Sequence, residues 1–142
     1  MNVSTRFTVA LHVLTLLSSS PGQALTSERI AGSVNTNPVV VRRLLGTLRR
    51  AGIVSSQPGN GGGWELAKNP GKLTLRDIRQ AVKEGSPFSM HNQPPNPKCP
   101  VGKNIQQVLR PVYAQAERAM ENELSHTTIL SLLRAVQRRE RD

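Results

Sequence analysis

Across residues 25–67 a short helix pattern, a polar turn and a second, arginine-bearing helix pattern lead into two strand-like runs around Pro58-Gly59-Asn60-Gly61-Gly62. Few arrangements satisfy that order. Thr26 is placed to cap the first helix, Glu28 lies in its first turn to complement the dipole, and Ile30, Ala31 and Val34 form its apolar face. Asn35 and Thr36 supply the turn. Asn37 caps the next helix, and Pro38 takes its first position, where a missing N–H costs nothing. Val41, Leu44, Leu45 and Leu48 recur on one side of that helix, with Val39, Arg43, Gly46 and Arg50 opposite and Arg42 and Arg49 on a flank. By itself the pattern also describes any amphipathic helix with a solvated basic face. Its position decides for a winged helix-turn-helix, because it follows a short helix and a tight turn and precedes a hairpin.

Gly52 is suited to end the helix, and residues 53–57 and 63–66 can pair as strands. A glycine-rich turn sometimes cradles phosphates, but a P-loop needs Gly-Lys-Ser/Thr and a following helix. Here Trp64 and a strand follow. As the tip of a wing, Gly59, Asn60 and Gly61 would let backbone N–H groups approach a DNA phosphate without a side-chain clash.

The charge agrees with such a partner. The formal net charge is +10, and residues 1–85 hold eleven Lys/Arg against four Asp/Glu, while residues 86–142 hold eight against five. The basic surface therefore concentrates in the first half. At 142 residues, with 37% apolar and 3% aromatic content, the core is modest and a partner subunit would help it. No run of 18 apolar residues suggests a membrane span. Residues 7–17 resemble a signal-peptide core only superficially: Phe7, Ala10, Leu11, Leu14 and Leu17 recur at helical spacing and only Arg6 precedes them. A single cysteine forbids an internal disulfide and fits a reducing cytoplasm.

Beyond the hairpin, residues 73–82 predict a helix entered through Thr74, with Leu75, Ile78, Ala81 and Val82 inward. Residues 85–102 contain five prolines and no helical period. Ile105, Leu109, Val112, Ala116 and Ala119 then form a heptad-like seam, with Pro111 inside it. Ile129, Leu130, Leu132, Leu133 and Val136 mark a last apolar helix. The expected division is a winged helix-turn-helix over residues 1–84, a proline-rich loop over 85–102 and dimerisation helices over 103–142. The fold class is mainly α with a small β-hairpin wing.

The chain resembles the winged-helix regulators typified by IscR, NsrR and CymR, the Rrf-two family, over nearly all its length. The segment LLGTLRRAGIVSSQPGNGGGWELAKNPGKLTLRDIRQAV carries the resemblance, and Gly59, Gly61, Gly62, Gly63, Trp64, Leu66 and Ala67 match the family's wing. The resemblance implies a cytoplasmic homodimer that sets two winged heads on successive major grooves of double-stranded DNA at a palindromic operator, as a repressor. The seam from Ile105 agrees with that pairing, the other reading being that it packs onto the chain's own head. Two departures stand out. The iron–sulfur members carry three cysteines between the wing helix and the dimer helix, where this chain has only Cys99, so no cofactor or metal is expected. Many members also have an arginine where this chain has Pro58.

The residues expected to reach DNA are Thr36, Asn37, Val39, Val40, Arg42, Arg43, Thr47 and Arg50 on or before the second helix, with Gly59, Asn60 and Gly61 in the wing. Asn and Arg can read adenine and guanine bidentately, while Thr36 and Thr47 suit phosphates. Cys99, beside Lys98 and just before a helix, is a candidate redox sensor, the other reading being a small, half-buried side chain that packs the loop. No small-molecule effector has a signature in the sequence. His12 and His126 lie among apolar helical residues and read as core or interface histidines, and His91 as a loop residue. Glu28, Glu65, Asp77 and Glu84 belong to separate elements, so no catalytic constellation forms. The other functional readings are a protein-interaction adaptor on the same fold and a nonspecific nucleic-acid binder, which would show a steep salt dependence without sequence preference.

Overall fold

The computed structural model describes residues 5–142. Among them run helices α1 (Arg6–Ser18), α2 (Ser27–Val34) and α3 (Pro38–Arg50), a hairpin of strands β1 (Val54–Gln57) and β2 (Gly63–Leu66), and helices α4 (Leu75–Val82), α5 (Pro100–Leu124) and α6 (Ile129–Arg141). The chain forms two compact units. One holds the residues up to Lys83 together with Leu124–Asp142, and the other is Glu84–Glu123.

In the first unit, local chemistry sets the helix ends. Thr26 Oγ1 accepts the Arg29 N–H at 3.2 Å, and Asn37 Oδ1 accepts the Val39 N–H at 2.8 Å. Between them Asn35 takes a left-handed conformation, φ 63°, which asparagine tolerates better than most residues. It closes α2 and turns the chain into α3. Thr74 and Asp77 form a reciprocal capping box on α4, and Thr128 and Ser131 another on α6.

The core joins Ala10, Val13, Leu14 and Leu17 of α1, Ile30 and Ala31 of α2, Val41, Leu44, Leu45 and Leu48 of α3, and Ile78 and Val82 of α4. Ile129 of α6 is fully buried in it, and Leu132 packs against it. The last helix, grouped with the dimerisation helices on sequence grounds, thus lies against α1 in this unit. Backbone bonds fasten it: Ile129 N–H donates to Leu73 O at 2.9 Å, Leu75 N–H to Thr127 O at 2.9 Å, and Leu130 N–H to Pro70 O at 3.0 Å. His12 and His126, expected in a core or an interface, are exposed on this chain, and His12 Nε2 stands 2.9 Å from Ser33 Oγ.

In the second unit α5 begins at Pro100, inside the segment expected to be a loop, and runs on through Pro111. Phe88 stacks on Tyr113 with centroids 4.9 Å apart, and Gln106 Nε2 lies 3.3 Å from His91 Nδ1. Of the expected seam, Ile105 and Leu109 are half-buried, whereas Val112, Ala116 and Ala119 are exposed. Val101 and Val108 are exposed as well. Among the described residues no helix is long and apolar enough to cross a membrane.

Candidate nucleic-acid interface

Burying Val41, Leu44, Leu45 and Leu48 fixes which way the rest of α3 faces. Arg42, Arg43, Arg49 and Arg50 are exposed, and Val39 and Val40 are 48% and 49% exposed on the first turn. An exposed valine pair at the start of a helix is ill-suited to water but fits thymine methyl groups in a major groove. Asn37 sits at the same end. Its side-chain oxygen is engaged as the cap, so its amide NH2 is the group freer to meet a base. Thr36 is exposed just before it, its backbone N–H donating to Ala31 O at 3.0 Å.

The guanidiniums of this face are held in different ways. Arg42 Nη2 lies 2.7 Å from Glu28 Oε1 on α2. Arg50 Nη2 donates to Thr47 Oγ1 at 3.3 Å, and Arg6 Nη2, from the start of α1, donates to the same hydroxyl at 3.0 Å. Thr47 Oγ1 in turn reaches Arg43 O at 3.3 Å. Thr47, read from sequence as a phosphate contact, is therefore the hydroxyl on which two guanidiniums converge. Arg6 was invisible as a member of this group, since nothing in its local sequence links it to a helix forty residues on. Arg49 donates to Ser56 at 3.4 Å and lies 5.6 Å from the centre of the Trp64 ring, within cation–π range.

Trp64 docks the wing. The strands pair antiparallel with Ser56 opposite Trp64 and Ser55 opposite Glu65, and Gln57 Nε2 donates across the pair to Glu65 Oε1. Behind the hairpin, Trp64 N–H donates to Leu25 O at 2.8 Å and Leu25 N–H to Trp64 O at 3.0 Å. The indole N–H reaches Ser27 Oγ, at 3.3 Å, in the first turn of α2. One residue thus ties the wing to both helices of the helix-turn-helix. The neighbouring glycine permits it: a Cβ on Gly63 would stand 2.5 Å from Leu25 O. At the exposed tip, Gly59 and Gly61 hold φ of 88° and 76° with Asn60 between them, which keeps the turn tight and its backbone open to an approaching phosphate.

Cys99 is exposed and immediately precedes α5, its carbonyl accepting the Lys103 N–H at 2.8 Å. His91, the loop histidine, pairs with Gln106 of α5.

A braced basic helix with a docked glycine wing beside it defines a winged helix-turn-helix DNA-binding protein. The family model of Rrf2, described as an iron-dependent transcriptional regulator, matches residues 3–135. The chain belongs to the Rrf2 family of transcriptional regulators and is not an enzyme. It is 42% identical over 132 residues to YwnA of Bacillus subtilis (strain 168), an HTH-type transcriptional regulator by name, covering 92% of this chain and 96% of YwnA. A crystal structure described as that of a DNA binding protein superposes with TM-score 0.72 at 40% identity, covering 90% of this chain and 98% of that one. CymR, the global cysteine regulator of B. subtilis, shares the fold with TM-score 0.69 at 22% identity, over 95% of this chain and 98% of its own.

The family description raises the question of iron. An iron–sulfur cluster takes about four thiolate or imidazole ligands. The sequence has one cysteine, and among the described residues no group of three or more His, Cys, Asp or Glu could hold a metal ion. The described residues of a single chain do not supply that ligand set.

Proposed function

We propose that the protein binds a palindromic operator as a homodimer and represses transcription by occupying it. The observation that carries this reading is the outward face of α3, where Val39 and Val40 stand ahead of Arg42, Arg43 and Arg50 beside a wing fixed by Trp64. The N-terminal valines and the cap amide suit base edges, and the arginines suit guanine or phosphate. A dimer laid over two successive grooves would exclude polymerase from the same DNA. Cys99, exposed at the start of α5, is where a thiol-directed signal would act.

Arg43→Ala is expected to weaken operator binding by about 1–3 kcal/mol and to relax preference at one base pair. Titration in a gel-shift assay with an operator recovered from genomic fragments measures it. Equal affinity would remove Arg43 from the reading surface.

Pairing through α5 is supported by the exposure of Val101, Val108 and Val112, at 67%, 61% and 58%, on a helix with a heptad-like seam. Val108→Asp would bury a charge in such an interface. It is expected to shift the protein from dimer to monomer in sedimentation velocity, and to weaken binding to a full palindrome far more than to a half-site. An unchanged sedimentation coefficient would place the interface elsewhere.

A further inference from the structure

The α3 guanidiniums differ in what they touch. Arg49 meets Ser56 and the Trp64 ring, Arg50 meets Thr47, and Arg43 is exposed, whereas Arg42 is bonded to a carboxylate on the brace helix. The Arg42–Glu28 pair is short, 2.7 Å, yet its side chains remain 50% and 65% exposed. A solvent-exposed pair contributes little to stability. Its consequence lies in where it holds Arg42. A guanidinium has five N–H donors, so one bond to Glu28 leaves the rest of the fork for a second partner. Glu28 is also a durable anchor. It lies in the first turn of α2, where the helix dipole favours negative charge. Its own backbone N–H and then the Arg42 guanidinium lower the pKa of its carboxyl, which as an ordinary carboxylate is already ionised at neutral pH.

We propose that Glu28 is a positioning residue for DNA readout: it tethers Arg42 so that the guanidinium meets one base edge, and thereby sets operator preference at that base pair. The inference rests on the DNA-binding reading above. An untethered arginine on the flank of a recognition helix ranges over neighbouring phosphates, which carry no sequence information. A tethered one has fewer rotamers to lose on docking and fewer wrong partners within reach. The Glu28 charge adds a second bias. Close to the DNA path it opposes phosphates on any sequence, and that penalty is offset only where Arg42 finds its base.

The test is a mutant cycle on a selected operator and its single-base-pair variants, with wild type, Glu28→Gln, Arg42→Ala and the double variant. Glu28→Gln keeps the size of the side chain and removes its charge. It is expected to bind random DNA more tightly and to lose about fivefold in discrimination at one base pair, the scale of one well-made exposed ion pair. With Arg42→Ala already present, Glu28→Gln is expected to change that discrimination no further. A purely structural Glu28 would instead lower the melting temperature and weaken all sequences alike. Wild-type discrimination at every base pair in Glu28→Gln, or an equal loss with Arg42 absent, would overturn the inference alone. A wild type that selects no sequence would overturn the operator reading and this inference with it.

Discussion

Gly63→Ala is expected to cost operator affinity by about 5–150-fold, on the order of 1–3 kcal/mol, while leaving the helical circular dichroism signal nearly intact. The added Cβ would lie 2.5 Å from Leu25 O, 2.6 Å from Leu25 C and 3.1 Å from Leu25 N. All three are backbone atoms, so no side-chain rotation relieves the clash. The residue also holds φ at 146°, a conformation that a side chain opposes. The structure must yield by opening the paired bonds between Leu25 and Trp64. Trp64 then leaves Ser27 and Arg49, and the wing is no longer held beside α3. Leu25 is itself buried in the core and Trp64 packs against it, but most of the core residues lie on the helices. Binding is therefore expected to fall more than helicity in this variant. Gel-shift titration beside circular dichroism checks it, and full operator affinity would show that wing placement does not matter.

Leu45→Ala should act in the other direction, on folding first. Leu45 is fully buried in α3 and faces the core shared by α1, α2 and α4. Removing its branched end costs about 2–5 kcal/mol through lost transfer energy and the cavity left behind. That is a large share of the roughly 5–15 kcal/mol that holds a typical domain together. The urea midpoint is expected to fall sharply with little change in slope, measured at fixed protein concentration because subunit pairing would contribute to the apparent stability. A loss under about 1 kcal/mol would mean that the site collapses around the smaller side chain, with less cavity than its burial implies.

Much of the head was legible in sequence because its signals are local. Thr26 and Asn37 mark helix starts through bonds that span three and two residues, Pro38 marks one by needing no N–H partner, and the spacing of Val41, Leu44, Leu45 and Leu48 selects a buried face whatever covers it. Of the boundaries that moved, one did so for a local reason and one through a distant partner. Ile53 was expected in the first strand, but its N–H donates to Leu48 O at 2.9 Å and finishes the preceding helix end, so β1 begins at Val54. Leu73 was expected in a helix but stays outside it, before the Thr74 cap, its carbonyl taken by Ile129.

What the sequence concealed is partnership across distance. Periodicity gives α6 an apolar face but does not say that α1 covers it. The Arg6–Thr47 bond spans 41 positions and the Trp64–Ser27 bond 37. Glu28 was readable only as a complement to its own helix dipole, because its bond to Arg42 is made fourteen positions away on the next helix. The residues proposed to face DNA were thus legible as a list, while the bonds that orient them became visible only in the folded structure.

The packing of α6 on α1 bears on how the protein is made. Of the described helices α1 leaves the ribosome first and α6 last, and the Glu84–Glu123 unit is synthesised between them. At roughly 5–20 residues per second, the face of α1 that receives α6 waits on the order of ten seconds for its cover. Contacts of such long sequence separation also slow the folding step itself. During that interval Leu11 and Leu16, which end up packed against the core, remain open to other apolar surfaces, and the nascent head is then most exposed to aggregation or chaperone capture.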